Sequence, residues 1–278
     1  MNKAQIISQV VAAYYDSREA DEFYLRIWGG EDIHIGLYDS LTDTIAEASR
    51  RTVVAMAGQI KTALAAKHRI IDIGAGFGGP ARYLAQRFGS RVVCLNISDV
   101  ENARNRKIND EQGIENLISV CQGSFENIPA DDGSIDLVWS QDAILHSGDR
   151  ERVIAEIARV LKPGGELIFT DPMQADDCPP SVLQPVYDRI HLDSLASVRF
   201  YRATASRYGL NEVAIKLMPY QLRNHYAAVG TELRMQYSKM IELASREYVD
   251  NMLVGLRHWV DAADKGYLNW GILHFQKQ

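Results

Sequence analysis

A chain of 278 residues, 46% hydrophobic and 24% charged, carries enough apolar material for one large domain and is not a disordered polymer. Its formal net charge of −6 argues against a general nucleic-acid binder, and falls short of the acidity of a protein adapted to saturating salt. No apolar run reaches the length of a membrane span, so no membrane partner is expected.

Ile6–Tyr15 is broken by Ser8 and Gln9 and leads into Asp16-Ser17-Arg18, which reads as an amphipathic helix rather than a secretory signal. The segment Trp28–Tyr38, rich in glycine and aromatic residues, suits a loop folded over something rather than a helix. A long helix is expected over Thr42–Lys67. From Arg69 onward, strands and helices alternate as a βαβ sheet requires. Expected strands are Ile70–Ile73, Arg91–Leu95, Leu117–Cys121, Ile135–Ser140, Glu166–Thr170, Leu210–Met218 and Tyr267–Gln276. Pro80 suits the first turn of the helix that Gly89 ends, Gly113 closes the helix from Asp99, and Asp149 can cap the next one.

This pattern implies a single α/β domain with a Rossmann-like sheet. Residues 1–67 form a helical cap, 68–220 and 267–278 the core, and 221–266 a helical lid inserted before the last strand. Cys94, Cys121 and Cys178 are odd in number and lack C-x-x-C spacing, which favours core packing and a reducing, cytoplasmic home. His34, His146, His191 and His225 are scattered without ligand spacing, so no metal site is expected.

Asp72-Ile-Gly74-Ala-Gly76-Phe-Gly78-Gly79 is the strongest local signal, a strand ending in glycines that feed a helix N-terminus. Gly74, Gly76 and Gly79 also satisfy the dinucleotide fingerprint, so the glycines alone leave a nicotinamide cofactor open. Three features favour a methionine-derived nucleoside. Asp72 is a poor neighbour for a pyrophosphate and a good one for an ammonium. Asn96 ends the second strand where a ribose-binding side chain belongs, and Gly123-Ser124-Phe125 follows the third strand where adenine would lie. Each piece also has a plain structural alternative, as a tight turn or a helix cap.

Taken in order, the D-x-G-x-G motif, Asn96, Asp136-Leu-Val-Trp-Ser140 and Leu161-Lys-Pro-Gly-Gly165 resemble class I S-adenosylmethionine-dependent methyltransferases. Most members of that class carry Asp or Glu where this chain has Asn96, which keeps one acceptor but loses a charge-assisted bond. A closer resemblance is carried by Phe23–Tyr38, Cys94–Ser98, Trp139–His146, Thr170–Met173, His258-Trp259 and Leu268–Gly271. These segments are similar to the sarcosine/dimethylglycine N-methyltransferases, and they span nearly the whole chain. The implied activity is methylation of sarcosine and dimethylglycine toward glycine betaine, an osmolyte. The implied S-adenosyl-L-methionine ligands are Asp72, Gly74, Ala75, Gly76, Asn96, Ile97, Ser124, Phe125, Ser140 and Gln141. The competing readings are a C- or O-methyltransferase of another metabolite, a nicotinamide-dependent oxidoreductase, and a non-catalytic binding module.

Methyl transfer to an amine needs a free lone pair, and free N-methylated glycines are zwitterions, so a proton must leave. His146 follows the fourth strand on the ligand-binding edge, and an imidazole suits proton removal near neutrality. A structural histidine bonded to nearby backbone is its alternative. A methylated cationic nitrogen suits aromatic faces, for which Trp28, Tyr38 and Trp139 are candidates, though aromatics are also ordinary core material. A substrate carboxylate suits an arginine fork. Arg26, Arg189, Arg199 and Arg202 are available, with Arg202 preferred.

Overall fold

The apolar runs pair into one sheet in the computed structural model, which describes residues 3–40, 42–189 and 192–278. Among the described residues the strands are β1 (Arg69–Ile73), β2 (Arg91–Asn96), β3 (Ile118–Gln122), β4 (Ile135–Gln141), β5 (Leu161–Thr170), β6 (Met173–Gln174), β7 (Leu210–Leu217), β8 (Leu268–Asn269) and β9 (Gly271–Lys277). Seven of them follow the order β3-β2-β1-β4-β5-β9-β7, while β6 and β8 form a separate ribbon. The pairs from β3 through β5 are parallel, and β9 runs antiparallel between β5 and β7.

The helices are α1 (Lys3–Tyr15), α2 (Arg18–Phe23), α3 (Ile45–Ala57), α4 (Gly79–Phe88), α5 (Asp99–Gln112), α6 (Arg150–Val160), α7 (Gln184–Arg189), α8 (Val198–Arg207), α9 (Pro219–Met235), α10 (Tyr237–Leu243) and α11 (Arg246–Asp264). No helix among the described residues is long and apolar enough to cross a membrane. Alternate strand residues feed two cores, as the pleat dictates. Ile70, Leu137, Trp139, Ile168 and Ile272 join side chains of α3, α4, α9 and α11. Ile71, Val138, Phe169 and Leu273 join those of α6 and α8 on the opposite face.

The helix expected over Thr42–Lys67 is shorter. Thr44 and Glu47 close a reciprocal cap at its start, and α3 ends at Ala57. The next turn cannot continue it, because the Lys61 and Thr62 amides donate to the buried Glu166 carboxylate at 3.0 and 2.6 Å. The fifth strand starts earlier than expected, since Ile135 pairs with Leu161 before Leu137 pairs with Glu166. Lys162–Gly165 is therefore a bulge within the pairing, with Gly164 at φ 78°. The last strand is split at Trp270, whose carbonyl accepts from Met218 N at 2.7 Å.

Trp139 corrects one sequence expectation. Its ring is fully buried in the core between the sheet and the helices, and its indole N–H donates to Gln141 Oε1 at 3.0 Å. Among the described residues it is not part of the lining of either chamber at the strand ends. Trp139→Ala should therefore destabilise the chain by about 3–5 kcal/mol. Trp139→Phe should leave the substrate KM near the wild-type value. Urea unfolding and steady-state kinetics check both.

Candidate active site

The site lies at the carboxyl edge of the parallel strands, where open α/β sheets bind ligands. After β1 the chain turns through Gly74, Gly76 and Gly78 at φ 76°, 50° and 78°. These left-handed values favour glycine, and the space does too. A Cβ at Gly74 would collide with Ala143, and one at Gly76 would sit 2.9 Å from Ile33 Cδ1. Bare backbone thus forms the floor of a cavity. Around it stand Asp72 and Ala75, Asn96 at the end of β2 with Ile97 after it, Ser124 and Phe125 beyond β3, and Gln141 at the end of β4. Ser8, Val11 and Tyr15 of α1 cover it.

Asn96 is oriented by Glu101, one turn into α5. Asn96 Nδ2 donates to Glu101 Oε2 at 2.8 Å, which leaves the Asn96 side-chain oxygen to accept from a ribose hydroxyl. Burial pushes the Glu101 carboxyl up to about 7, against the pull of that bond. Asp72 is buried with no partner for Oδ2 among the described residues. Burial, reinforced by the charge of Asp32, pushes its carboxyl up to about 8. Gln141 uses its oxygen for Trp139, and its Nε2 is likewise unpartnered. An amino-acid head group answers both, with its ammonium at Asp72 and its carboxylate at Gln141. The residues present fit a nucleoside joined to an amino acid.

A second, smaller chamber opens on the far side of a shared wall. Tyr15, Ile33, His34, Asp142 and His146 line both spaces, and Tyr24, Trp28, Leu145, Pro172 and Tyr226 complete the second. Tyr24 and Trp28 bracket a π-helical turn, an uncommon geometry often found at functional sites, and their rings lie 5.2 Å apart. The Tyr15 ring lies 5.4 Å from that of Tyr24, and the Tyr15 hydroxyl lies 3.0 Å from His146 Nε2. Two carboxylates fix the backbone behind these groups. Asp142 accepts from Ile35 N and Trp270 Nε1, each at 2.7 Å. Asp171 accepts from Leu145 N at 3.0 Å and from the Tyr201 hydroxyl at 2.6 Å, steadying the turn that carries His146.

Sheet order, glycine floor and head-group site together define a class I S-adenosylmethionine-dependent methyltransferase. The model of a methyltransferase domain matches residues 71–169. The sarcosine/dimethylglycine N-methyltransferase of Halorhodospira halochloris is 51% identical over 264 residues, covering 95% of this chain and 94% of that protein. The same-named enzyme of Aphanothece halophytica is 50% identical over 277 residues, all of both chains. A crystal structure described as a sarcosine dimethylglycine methyltransferase from Galdieria sulphuraria matches at TM-score 0.90 and 42% identity, over 95% of this chain and 99% of that one. The chain belongs to the sarcosine/dimethylglycine N-methyltransferase family, and its cofactor is S-adenosyl-L-methionine.

Of the expected cofactor ligands, Asp72, Gly74, Ala75, Gly76, Asn96, Ile97, Ser124, Phe125 and Gln141 are brought together in one cavity. Ser140 is not among them. It is fully buried, and its hydroxyl donates to Ile73 O at 2.9 Å, tying β4 to β1. The expected catalytic residue His146 and the expected substrate residue Trp28 meet in the aromatic chamber. Tyr38 stands in a different cleft with its hydroxyl 3.1 Å from His225 Nδ1. Arg202 does not reach either chamber, because it is exposed on α8 and paired with Glu212 at 2.7 Å. Arg26 pairs with Glu22 and Arg199 with Asp177. His191 and the side chain of Arg189 lie outside the described residues.

Tyr15, Tyr24, Asp142 and Tyr226 carry no site signal in the sequence, and His34 is weighed there only as a metal ligand. Only Glu101 left a local trace, five residues beyond Asn96 in the first turn of α5.

The raised Asp72 carboxyl makes a signed prediction. The folded chain keeps this proton up to about pH 8, whereas an unfolded Asp releases it near about 4. Between those values the native state binds more protons, so the ligand-free protein loses stability as pH rises. Asp72→Asn should flatten that slope by on the order of 1 kcal/mol per pH unit, measured by urea unfolding. An ammonium at Asp72 favours the ionised carboxyl. Binding of S-adenosylhomocysteine near neutral pH should therefore release protons, and calorimetry in buffers of different ionisation heat should lose that release in Asp72→Asn. Gly76→Val should abolish binding while leaving the folded state intact, because its branched side chain enters the cavity at a left-handed φ.

Proposed function

We propose that this chain methylates sarcosine and dimethylglycine in succession, ending in glycine betaine, an osmolyte. The observation that carries the reading is the aromatic chamber sharing a wall with the cofactor cavity. Ring faces attract a methylated, cationic nitrogen, and a ring-lined space leaves less room for the water that would compete for the methyl group. The names of the two full-length relatives support the same substrates.

S-adenosylmethionine, when bound, supplies a methyl group activated on a sulfonium. The chain's own part is alignment and proton removal. Tyr15, Tyr24, Trp28 and Tyr226 hold the amine against the shared wall, so that its nitrogen faces the cofactor side in line. His146 takes the proton that the ammonium must shed before its lone pair can form the new C–N bond. The Tyr15 hydroxyl, within hydrogen-bond distance of Nε2, orients that ring. Helices α9 to α11 act as a lid on the substrate side, since Tyr226 of α9 enters the chamber and His225 accepts from Gly36 N at 3.1 Å. Burial pushes His225 down to about 3, so it stays a neutral acceptor at working pH. A cytoplasmic setting belongs to the same reading, in keeping with three cysteines that are all free thiols.

Donor consumption measured across glycine, sarcosine, dimethylglycine and dimethylethanolamine tests the reading. Sarcosine and dimethylglycine should turn over, and dimethylethanolamine, which lacks the carboxylate, should be poor. Equal kcat/KM for dimethylglycine and dimethylethanolamine would sink the amino-acid assignment. His146→Ala should lower kcat by about 100-fold or more while S-adenosylhomocysteine affinity stays within about threefold. Near-normal turnover would return His146 to a structural role.

A further inference from the structure

Among the described residues, no arginine or lysine lines either chamber. A substrate carboxylate therefore has no guanidinium fork to meet, and the partner must be sought among the polar groups of the shared wall. Tyr15 and His146 are engaged with each other. Asp142 is an acceptor already holding two N–H donors. His34 is different. It is 4% exposed, and its Nε2 has no hydrogen-bond partner although it borders both spaces.

The surroundings give this nitrogen no direct hydrogen bond. The group that faces it is Asp32 Oδ1, itself buried and without a hydrogen-bond partner, at 3.9 Å, which is ion-pair range but too long for a direct hydrogen bond; the other oxygen of Asp32 is paired with Arg50 at 2.9 Å. On the opposite side of the ring, Nδ1 lies 3.4 Å from the Ile35 carbonyl, which already accepts from the Thr52 hydroxyl at 2.8 Å. At 3.4 Å the contact of Nδ1 with that carbonyl is long and holds a proton only weakly, so a carboxylate acceptor at Nε2 draws the proton to that side of the ring. The backbone that presents the ring is held firmly. The His34 carbonyl accepts from Ser49 at 2.8 Å and from the Trp28 indole at 3.2 Å, and the next amide is held by Asp142. A buried donor left unpaired by the protein carries a desolvation cost, which a ligand acceptor or an ordered water offsets.

We propose that His34 is the specificity-determining residue that receives the substrate carboxylate, donating from Nε2. This rests on the substrate reading given above. The indole of Trp28 is hydrogen-bonded to the backbone of His34 itself, so one segment supplies an aromatic face for the methylated nitrogen and a donor for the carboxylate. In an N-methylated glycine those two groups are separated by a single carbon. The cofactor's own carboxylate is met by Gln141, which leaves His34 to the acceptor.

Two variants test this, His34→Leu and His34→Gln, each measured with dimethylglycine and dimethylethanolamine, together with calorimetric binding of S-adenosylhomocysteine. Glycine betaine is then titrated into the S-adenosylhomocysteine complex. His34→Leu should lower kcat/KM for dimethylglycine by about 10- to 100-fold, chiefly through KM, with little change for dimethylethanolamine. It should weaken betaine binding to a similar extent and leave S-adenosylhomocysteine affinity within about threefold. His34→Gln, which keeps a donor, should recover part of the loss. S-adenosylhomocysteine binding also establishes that each variant is folded. An unchanged preference for dimethylglycine in both variants overturns the proposal. So does a fall in S-adenosylhomocysteine affinity with that preference retained, since His34 would then serve the cofactor. Wild-type chain that turns over neither sarcosine nor dimethylglycine overturns the substrate reading itself, a result visible before any variant is made.

Discussion

The site depends on one buried carboxylate. Asp142, just beyond β4, holds the backbone amide of Ile35 with one oxygen and the indole of Trp270 with the other, both at 2.7 Å. The first bond brings the Gly29–Tyr38 segment down over the sheet edge. The second ties that edge to the break between the last two strands. Without this clasp the segment would lose its direct bond to the strand edge, and the wall between the two chambers would be held only from the helix side, by side chains that include Ser49, Thr52 and Arg82. Asp142 adopts a left-handed φ of 51°, a conformation that Asp tolerates better than most residues. Its own amide donates to Thr170 O at 2.9 Å, so β5 helps to hold it there.

The electrostatics of the site follow from what is placed there and what is kept out. Asp72 and Glu101 face the cofactor cavity, and no lysine or arginine faces either chamber among the described residues. Burial raises both carboxyls, which in the ligand-free protein hold protons that a cation would displace. Such a cavity attracts ligands that bring their own positive charge. An ammonium, a sulfonium and a methylated amine all satisfy that condition. The basic residues serve elsewhere. Buried Arg82 bonds Glu31, Asn105, Asn109 and the Phe77 carbonyl, joining the glycine turn, α5 and the covering segment into one unit.

The glycine turn, the strand ends and the adenine-side residues were legible because each is local. A strand that must end beneath a ligand needs glycines at left-handed φ, and that requirement is written within eight consecutive residues. The helix cap at Asp149 was legible for the same reason, since a cap spans a single turn. Ser140 and Trp139 were misread because they sit in a strand whose alternation fixes which face a residue takes, but not whether that face meets a ligand or a core. Arg202 was misread because charge alone carries no direction, and Glu212, on the neighbouring strand β7, claimed it.

From its sequence alone the chain determined its class, its cofactor turn and its family, through short-range backbone constraints and a characteristic ordering of segments. Only the tertiary structure decided how the acceptor chamber is built. Tyr15 meets His146 across 131 positions, Ile35 meets Asp142 across 107, and Gly36 meets His225 across 189. No residue in these pairs has a neighbour in sequence that signals its partner. They are matched by the packing of α1, the Gly29–Tyr38 segment and α9 over the edge of the sheet. The cause is geometric: local rules fix where the backbone turns, while the chamber forms where three distant elements come to rest on the same strand ends.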